Sequence, residues 1–310
     1  MRQPNHIFKN PHPGIVVVLF MGTAGGTALF NFWALGQWPF ASLAAWTTPA
    51  LVGIAAWFIN VVLVYRSRYL KTNYLLGWYW FCLMLALHPQ GITPDAVWAS
   101  MGISVWLAMA YELSDERKDA LFTRSNLGLF SAFLGVFSIS WWSLLLPSLF
   151  ALRTGTLRQP PRYFLQVAAG WFVGLASVFT FAAYTGNLAT YVNEIAQVGS
   201  RPWSFQWLPV GYFALAFWML FAVFETMRAM RSAKKAKRRG LIMSWIGIIW
   251  GVSLILWQGE HAQAGAILAV FAAPHIVNLQ SYLTKAWMIR TLDASLVGAA
   301  ILGLVMSHPL

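Results

Sequence analysis

Residues 125–152 read SNLGLFSAFLGVFSISWWSLLLPSLFAL, an apolar run bordered by Arg117, Lys118 and Arg124 before it and by Arg153, Arg158 and Arg162 after it. From Asn126 to Leu152 the run is long enough to cross a bilayer core about 30 Å thick, which takes roughly 20 apolar residues as helix. Lys and Arg in short loops stay on the cytoplasmic side, so two basic borders require the chain to enter and return. Ser138-Ile139-Ser140, polar and followed by Trp141-Trp142, is the natural place for the reversal. That leaves two arms of about 13 residues, about 20 Å each, short of a full span. The reading is a re-entrant helical hairpin over residues 126–152.

Charge tests this reading. The chain has 21 Lys and Arg. With a hairpin, all of them except Arg201 fall on the side of the N-terminus, 20 against 1. A single crossing at 126–152 would flip everything downstream and divide them 9 against 12. The hairpin satisfies the positive-inside rule and the single crossing does not. Parity alone leaves open whether the two arms are re-entrant or two thin crossings.

Composition agrees with a membrane protein. Hydrophobic residues make up 59% of the 310, charged residues 10%, and the mean hydropathy is +0.60. Apolar runs of spanning length recur along the whole chain, at about 14–35, 48–65, 73–87, 95–112, 163–184, 207–227, 241–257, 262–283 and 288–306. The expectation is an all-α, polytopic transmembrane bundle of about nine spans plus the hairpin, with the N-terminus cytoplasmic and the C-terminus extracytoplasmic. It forms a single transmembrane domain over 1–310, with spans at 13–125, the hairpin at 126–152 and further spans at 160–310. The first segment, with Arg2 and Lys9 ahead of it, reads as a retained span. A net charge of +12 sits in the gaps between apolar runs, which argues for topology and against nucleic acid. The lone Cys82 excludes an internal disulfide or a cysteine metal cluster. Pairs such as Gly22/Gly26 and Gly170/Gly174 permit close helix contact. Residues 186–205 form the longest polar loop of the second half.

Soluble-enzyme motifs are absent: no P-loop, dinucleotide fingerprint, HExxH or GxSxG occurs. Polar residues at or within the membrane are therefore the informative ones. Asp95, the first acid in the chain, opens a span beside Thr93, Pro94, His88 and Gln90. It reads either as a catalytic base or a metal or phosphate anchor, or as a helix cap favoured by the dipole. Glu194 and Arg201 share the longest outer loop, where they could hold a phosphate or simply pair with each other. Glu260 and His261 form a further outer pair without partners for a metal. His275, directly after Pro274 and followed by Asn278 and Gln280, lies inside a span. Either it satisfies a carbonyl freed by the proline or it serves as a relay or ligand site. Glu225 with Arg228, and Asp293 with Arg290, read as local ion pairs. The basic run from Arg228 to Arg239 reads as a topology determinant that contacts anionic phospholipid.

Segment 88–185 resembles a stretch of the GT-C class of polyprenyl-phosphate-sugar glycosyltransferases. Thr93-Pro94-Asp95-Ala96 stands where an outer acid opens a span. A charged connector, a glycine-containing arm, a polar break and a proline-containing arm follow, with Gly128, Gly135, Ser138, Ser140, Pro147 and Arg153 at corresponding kinds of position. The chain also resembles a family of bacterial inner-membrane proteins of similar length and span count. The class carries an acid in the loop after its first span, whereas residues 36–47 here contain none. The resemblance therefore implies an envelope glycan or lipid enzyme in which Asp95 acts as base or metal ligand. His88, Gln90, Glu194 and Arg201 would bind a lipid-phosphate-linked sugar. It implies no fixed cofactor, a divalent metal being compatible. A transporter or flippase built around His275 and Asn278, and a non-catalytic subunit of a membrane assembly, are the alternatives.

Overall fold

The structure is a computed structural model and describes residues 13–36, 43–66, 75–114, 120–136, 139–153, 161–198, 209–232, 235–258, 261–283 and 285–307. Every regular element among them is helical. The first half comprises α1 (Pro13–Leu35), α2 (Thr47–Asn60), α3 (Leu75–Leu87) and α4 (Pro94–Ser114). Next come α5 (Ala120–Phe133) and α6 (Leu145–Arg153), separated by two short 3-10 turns, Leu134–Val136 and Ile139–Leu144. The second half comprises α7 (Pro161–Tyr184), α8 (Leu188–Val198), α9 (Val210–Ser232), α10 (Lys235–Gln258), α11 (His261–Tyr282) and α12 (Ala286–Ser307).

Among the described residues, six helices are long and apolar enough to cross a membrane: α1, α2 together with its helical continuation to Val64, α4, α7, α9 and α12. The other three expected segments coincide with shorter apolar stretches, Leu75–Leu87, Gly240–Leu256 and Ala264–Gln280. Two of these are the centre of the bundle. Every residue from Ala264 to Gln280 is buried, as are all of α3 except Trp78 and Leu85. A helix apolar on all sides belongs in an interior, and α11 packs on α3, α4, α9 and α10. The peripheral helices do the opposite. Leu165, Phe172 and Phe181 on α7, Phe213, Leu220 and Phe224 on α9, and Ile301, Val305 and Met306 on α12 are all exposed. So much apolar surface on the outside marks a protein solvated by lipid.

The hairpin is visible in the packing of α5, α6 and α7. A side chain at Gly128 would strike the Val167 carbonyl, one at Gly170 the Ser125 carbonyl, and one at Gly174 the Leu129 carbonyl and Ala132. The register rises together on both helices, so α5 and α7 run parallel, as they must if α6 runs back between them. Ser131 on α5 and Ser148 on α6 meet at 2.8 Å, and the Trp106 indole of α4 donates to both, at 3.0 and 3.1 Å. Of the expected reversal, Ser138-Ile139-Ser140, Ser138 lies outside the described residues and Ile139 opens the second 3-10 turn. Beside it, Trp142 stacks near Phe179 (5.4 Å) and Ser143 accepts from the Trp250 indole at 2.7 Å. The apex therefore reaches the far end of α7, and α8 packs against the Ile139–Leu144 turn.

Three local expectations change. Residues 186–205 contain α8 rather than continuous loop. The Gly170/Gly174 pair makes a backbone approach, but Gly22 and Gly26 face the aromatic side chains of Trp78 and Phe81 instead. The second segment ends not as α-helix but as a π-helical stretch, Val61–Arg66.

Candidate functional site

The turn joining α3 to α4 gathers three of the residues that the sequence marks, His88, Gln90 and Asp95. His88 is buried; its Nδ1 donates to the Met84 carbonyl at 2.9 Å. Nε2 points toward α11 and α9. A Cβ on Gly265 would come within 3.3 Å of it and within 3.2 Å of the Tyr212 hydroxyl oxygen. A side chain at 265 would crowd both the imidazole, whose Cε1 would lie 2.9 Å from the added carbon, and the phenol. Tyr212 and Gly265 went unmarked in the sequence because neither has a local signal: three separate helices bring them to His88.

Gly91 and Ile92 of the turn are buried as well. Asn31 of α1 accepts from the Ile92 N–H at 3.0 Å and donates to the Ile92 carbonyl at 3.2 Å. Gly91, at φ +104°, closes on Leu35, and Pro89 packs over Gly303. So held, the turn presents Gln90, Thr93 and Asp95 to the exterior. Asp95 is not the helix cap: the Ala96 N–H donates to the Thr93 hydroxyl at 3.4 Å and the Val97 N–H to the Thr93 carbonyl at 3.3 Å, with Pro94 in the first helical position. The carboxylate of Asp95 lies exposed in the first turn of α4, beside its favourable N-terminal dipole. Glu194 lies on α8; Arg201 lies outside the described residues, as does Glu260. The structure thus brings His88, Gln90 and Asp95 to one turn, with only His88 directed inward.

A second polar locus lies inside the bundle. His275 has no exposed surface; its ring packs 4.7 Å from Trp245 of α10, and its Nδ1 lies 3.2 Å from the Thr226 hydroxyl of α9. Nε2 has no hydrogen-bond partner. Asn278 and Gln280 are buried further along α11, and the Gln280 Nε2 is likewise unpartnered. His275 bonds across to α9, so its role is not confined to a carbonyl freed by Pro274. A buried polar atom without a partner costs about 1–3 kcal/mol, and inside a membrane such groups are kept where they serve a pathway or ligand.

Two further polar positions go beyond what the sequence marked. Asn60, wholly buried where α2 passes into the π-helical stretch, has no partner for either amide atom; a polar residue in an apolar run was the available signal. Asp293, which the sequence marked only as a partner for Arg290, accepts at Oδ1 from the Tyr79 hydroxyl of α3 at 2.8 Å, a bond across the bundle that no local spacing announces. Among the described residues no group of three or more His, Cys, Asp or Glu is placed to hold a metal. Of the basic run, Arg228 and Arg238 are exposed at the same end of the bundle as Lys285 and Arg290. Comparison with protein-family models, curated proteins and solved structures finds no match to this chain.

Proposed function

We propose that the chain is a nine-span protein of the bacterial inner membrane, with a re-entrant hairpin at 126–152, the N-terminus cytoplasmic and the C-terminus extracytoplasmic. The 20-to-1 distribution of Lys and Arg supports this orientation. The run from Arg228 to Arg239 then lies against anionic phospholipid of the cytoplasmic leaflet. The protein acts in envelope glycan or lipid metabolism on a GT-C-like scaffold, at an outward-facing site around Asp95. Its substrate is a sugar linked to a polyprenyl phosphate. Asp95 serves as base or as ligand to a divalent metal, and His88, Gln90, Glu194 and Arg201 bind the substrate. One observation carries the choice of Asp95: Thr93 caps α4, so the exposed carboxylate two residues later has no capping role to explain it.

A second reading, transport or flipping of a small polar or lipid-linked molecule, is favoured by the unpartnered Nε2 of His275 at the centre of the bundle. The two separate by experiment. In a deletion strain with an envelope defect, Asp95→Asn fails to complement while His275→Ala complements if the enzyme reading holds. The reverse pattern supports transport. Full complementation by both leaves the protein a non-catalytic subunit of a membrane assembly. Thermal midpoints of the purified variants must stay at the wild-type value for any of these results to count.

A further inference from the structure

At the end of α7 the chain turns a sharp corner instead of running out into solvent. The Asn187 N–H donates to the Ala182 carbonyl at 2.8 Å and the Gly186 N–H to the Ala183 carbonyl at 3.2 Å. Gly186 stands between them at φ +74°, the paired bonding by which a glycine in left-handed conformation ends a helix. Only Thr185, Gly186 and Asn187 separate the last residue of α7 from the first of α8. The corner therefore holds α8 at the level where a lipid-facing helix stops. Phe181 is 66% exposed and Tyr184 90% exposed just before it.

α8 is strongly amphipathic. Leu188, Val192 and Ile195 recur at helical spacing on one side and remain 38%, 50% and 39% exposed. Thr190 and Asn193, with positions 194 and 197, fall on the other side by the same spacing. The helix makes only a light contact with α7 and with the Ile139–Leu144 turn, so its apolar stripe is not used up on the protein. A short helix with one apolar and one polar face, fixed at the end of a span, matches the membrane interface.

We propose that α8 lies in the plane of the bilayer, in the leaflet opposite the basic end of the bundle. Leu188, Val192 and Ile195 enter the boundary between headgroups and acyl chains, and Thr190 and Asn193 face water. The partner of this face is the lipid surface, continuous with the lipid that solvates α7. The proposal rests on membrane embedding alone and is independent of the activity proposed above.

Single-cysteine scanning tests it directly, because Cys82 is the only native cysteine and is 2% exposed. Leu188→Cys, Thr190→Cys, Val192→Cys, Asn193→Cys and Ile195→Cys are labelled with an environment-sensitive fluorophore. The labelled proteins are placed in phosphatidylcholine–phosphatidylglycerol vesicles. Brominated acyl chains should quench positions 188, 192 and 195 several-fold more than 190 and 193, and aqueous iodide should quench in the opposite order. Uniform iodide quenching at all five positions overturns the proposal by placing α8 in water. Protection of 188, 192 and 195 from both quenchers also overturns it, since protein (residues 199–208 or a second copy) would then cover the stripe.

Discussion

Asn31 and Ile92 exchange two hydrogen bonds across 61 positions of sequence, the amide nitrogen donating to the Ile92 carbonyl and the amide oxygen accepting from the Ile92 N–H. The pair fastens the turn that carries His88 and Asp95 to α1. Asn31→Leu leaves two buried backbone groups unsatisfied, each costing about 1–3 kcal/mol. We expect a loss of about 2–6 kcal/mol in detergent-solubilised protein. Asn31→Asp keeps the acceptor for the N–H but sets a carboxylate against the Ile92 carbonyl, and should be no better. Thermal unfolding checks both; a midpoint within a degree of wild type for Asn31→Leu would show that the clasp does not hold the turn.

A second expectation concerns how closely α5 and α7 approach. Gly128→Ala drives its Cβ into the Val167 carbonyl and the Trp171 nitrogen, and neither backbone can move without parting the helices. Overpacking of this kind costs about 1–3 kcal/mol, and more where backbone is struck. Gly25→Ala is the matched control, because nothing lies within 4 Å of its added carbon. Unfolding midpoints that fall equally in the two variants would contradict the close parallel pair.

Much of this architecture was legible in the sequence. Apolar length marked the helices, six of which, among the described residues, are long and apolar enough to cross a membrane. Gly170 and Gly174 announced a close helix contact. Other features depend on information that no local window holds. The meeting of His88, Tyr212 and Gly265 needs three helices, and the Tyr79–Asp293 bond spans 214 positions. α8 was hidden for a different reason: its three-residue apolar stripe is too short to stand out among Asn193, Glu194 and the glycines around it. Asp95 was weighed as a cap, although Thr93 and Pro94 ahead of it already spelled out a cap and a first helical residue.

His275 offers a test in which stability and activity should part. Its Nε2 is buried without a partner, a cost of about 1–3 kcal/mol that an apolar ring of similar size avoids. His275→Phe should keep the packing against Trp245 and lose only the contact to Thr226. We expect an unfolding midpoint equal to or above wild type. A clear drop in the midpoint would mean that the Thr226 contact outweighs the orphaned nitrogen, and that the imidazole is structural.

The burial of Cys82 predicts a reagent pattern. The thiol sits on α3 inside the bundle at 2% exposure, and a maleimide reaches only thiols that open to water. Folded protein in detergent should remain unlabelled over hours and label fully once unfolded in dodecyl sulfate. Labelling of the folded protein within minutes would show that α3 opens readily to water.

The latch between hairpin and bundle can be taken apart one bond at a time. Ser131 and Ser148 lie 2.8 Å apart, and each hydroxyl also lies within 2.8 Å of a carbonyl of its own helix, Leu127 and Leu144 respectively. Two hydroxyl protons cannot fill all three contacts, so the Trp106 N–H is the donor that lets both oxygens be satisfied. Trp106→Phe removes that donor but leaves the serines able to bond each other, and should cost about 1 kcal/mol from the hydrogen bond. Ser148→Ala leaves the Trp106 N–H its bond to Ser131 and should cost no more than that. Combining Trp106→Phe with Ser148→Ala removes the link between α4, α5 and α6 entirely. Because the three groups form one network, the double variant should lose a different amount from the sum of the singles. Strict additivity in thermal or denaturant unfolding would mean that apolar packing alone, and not this network, holds the hairpin against α4.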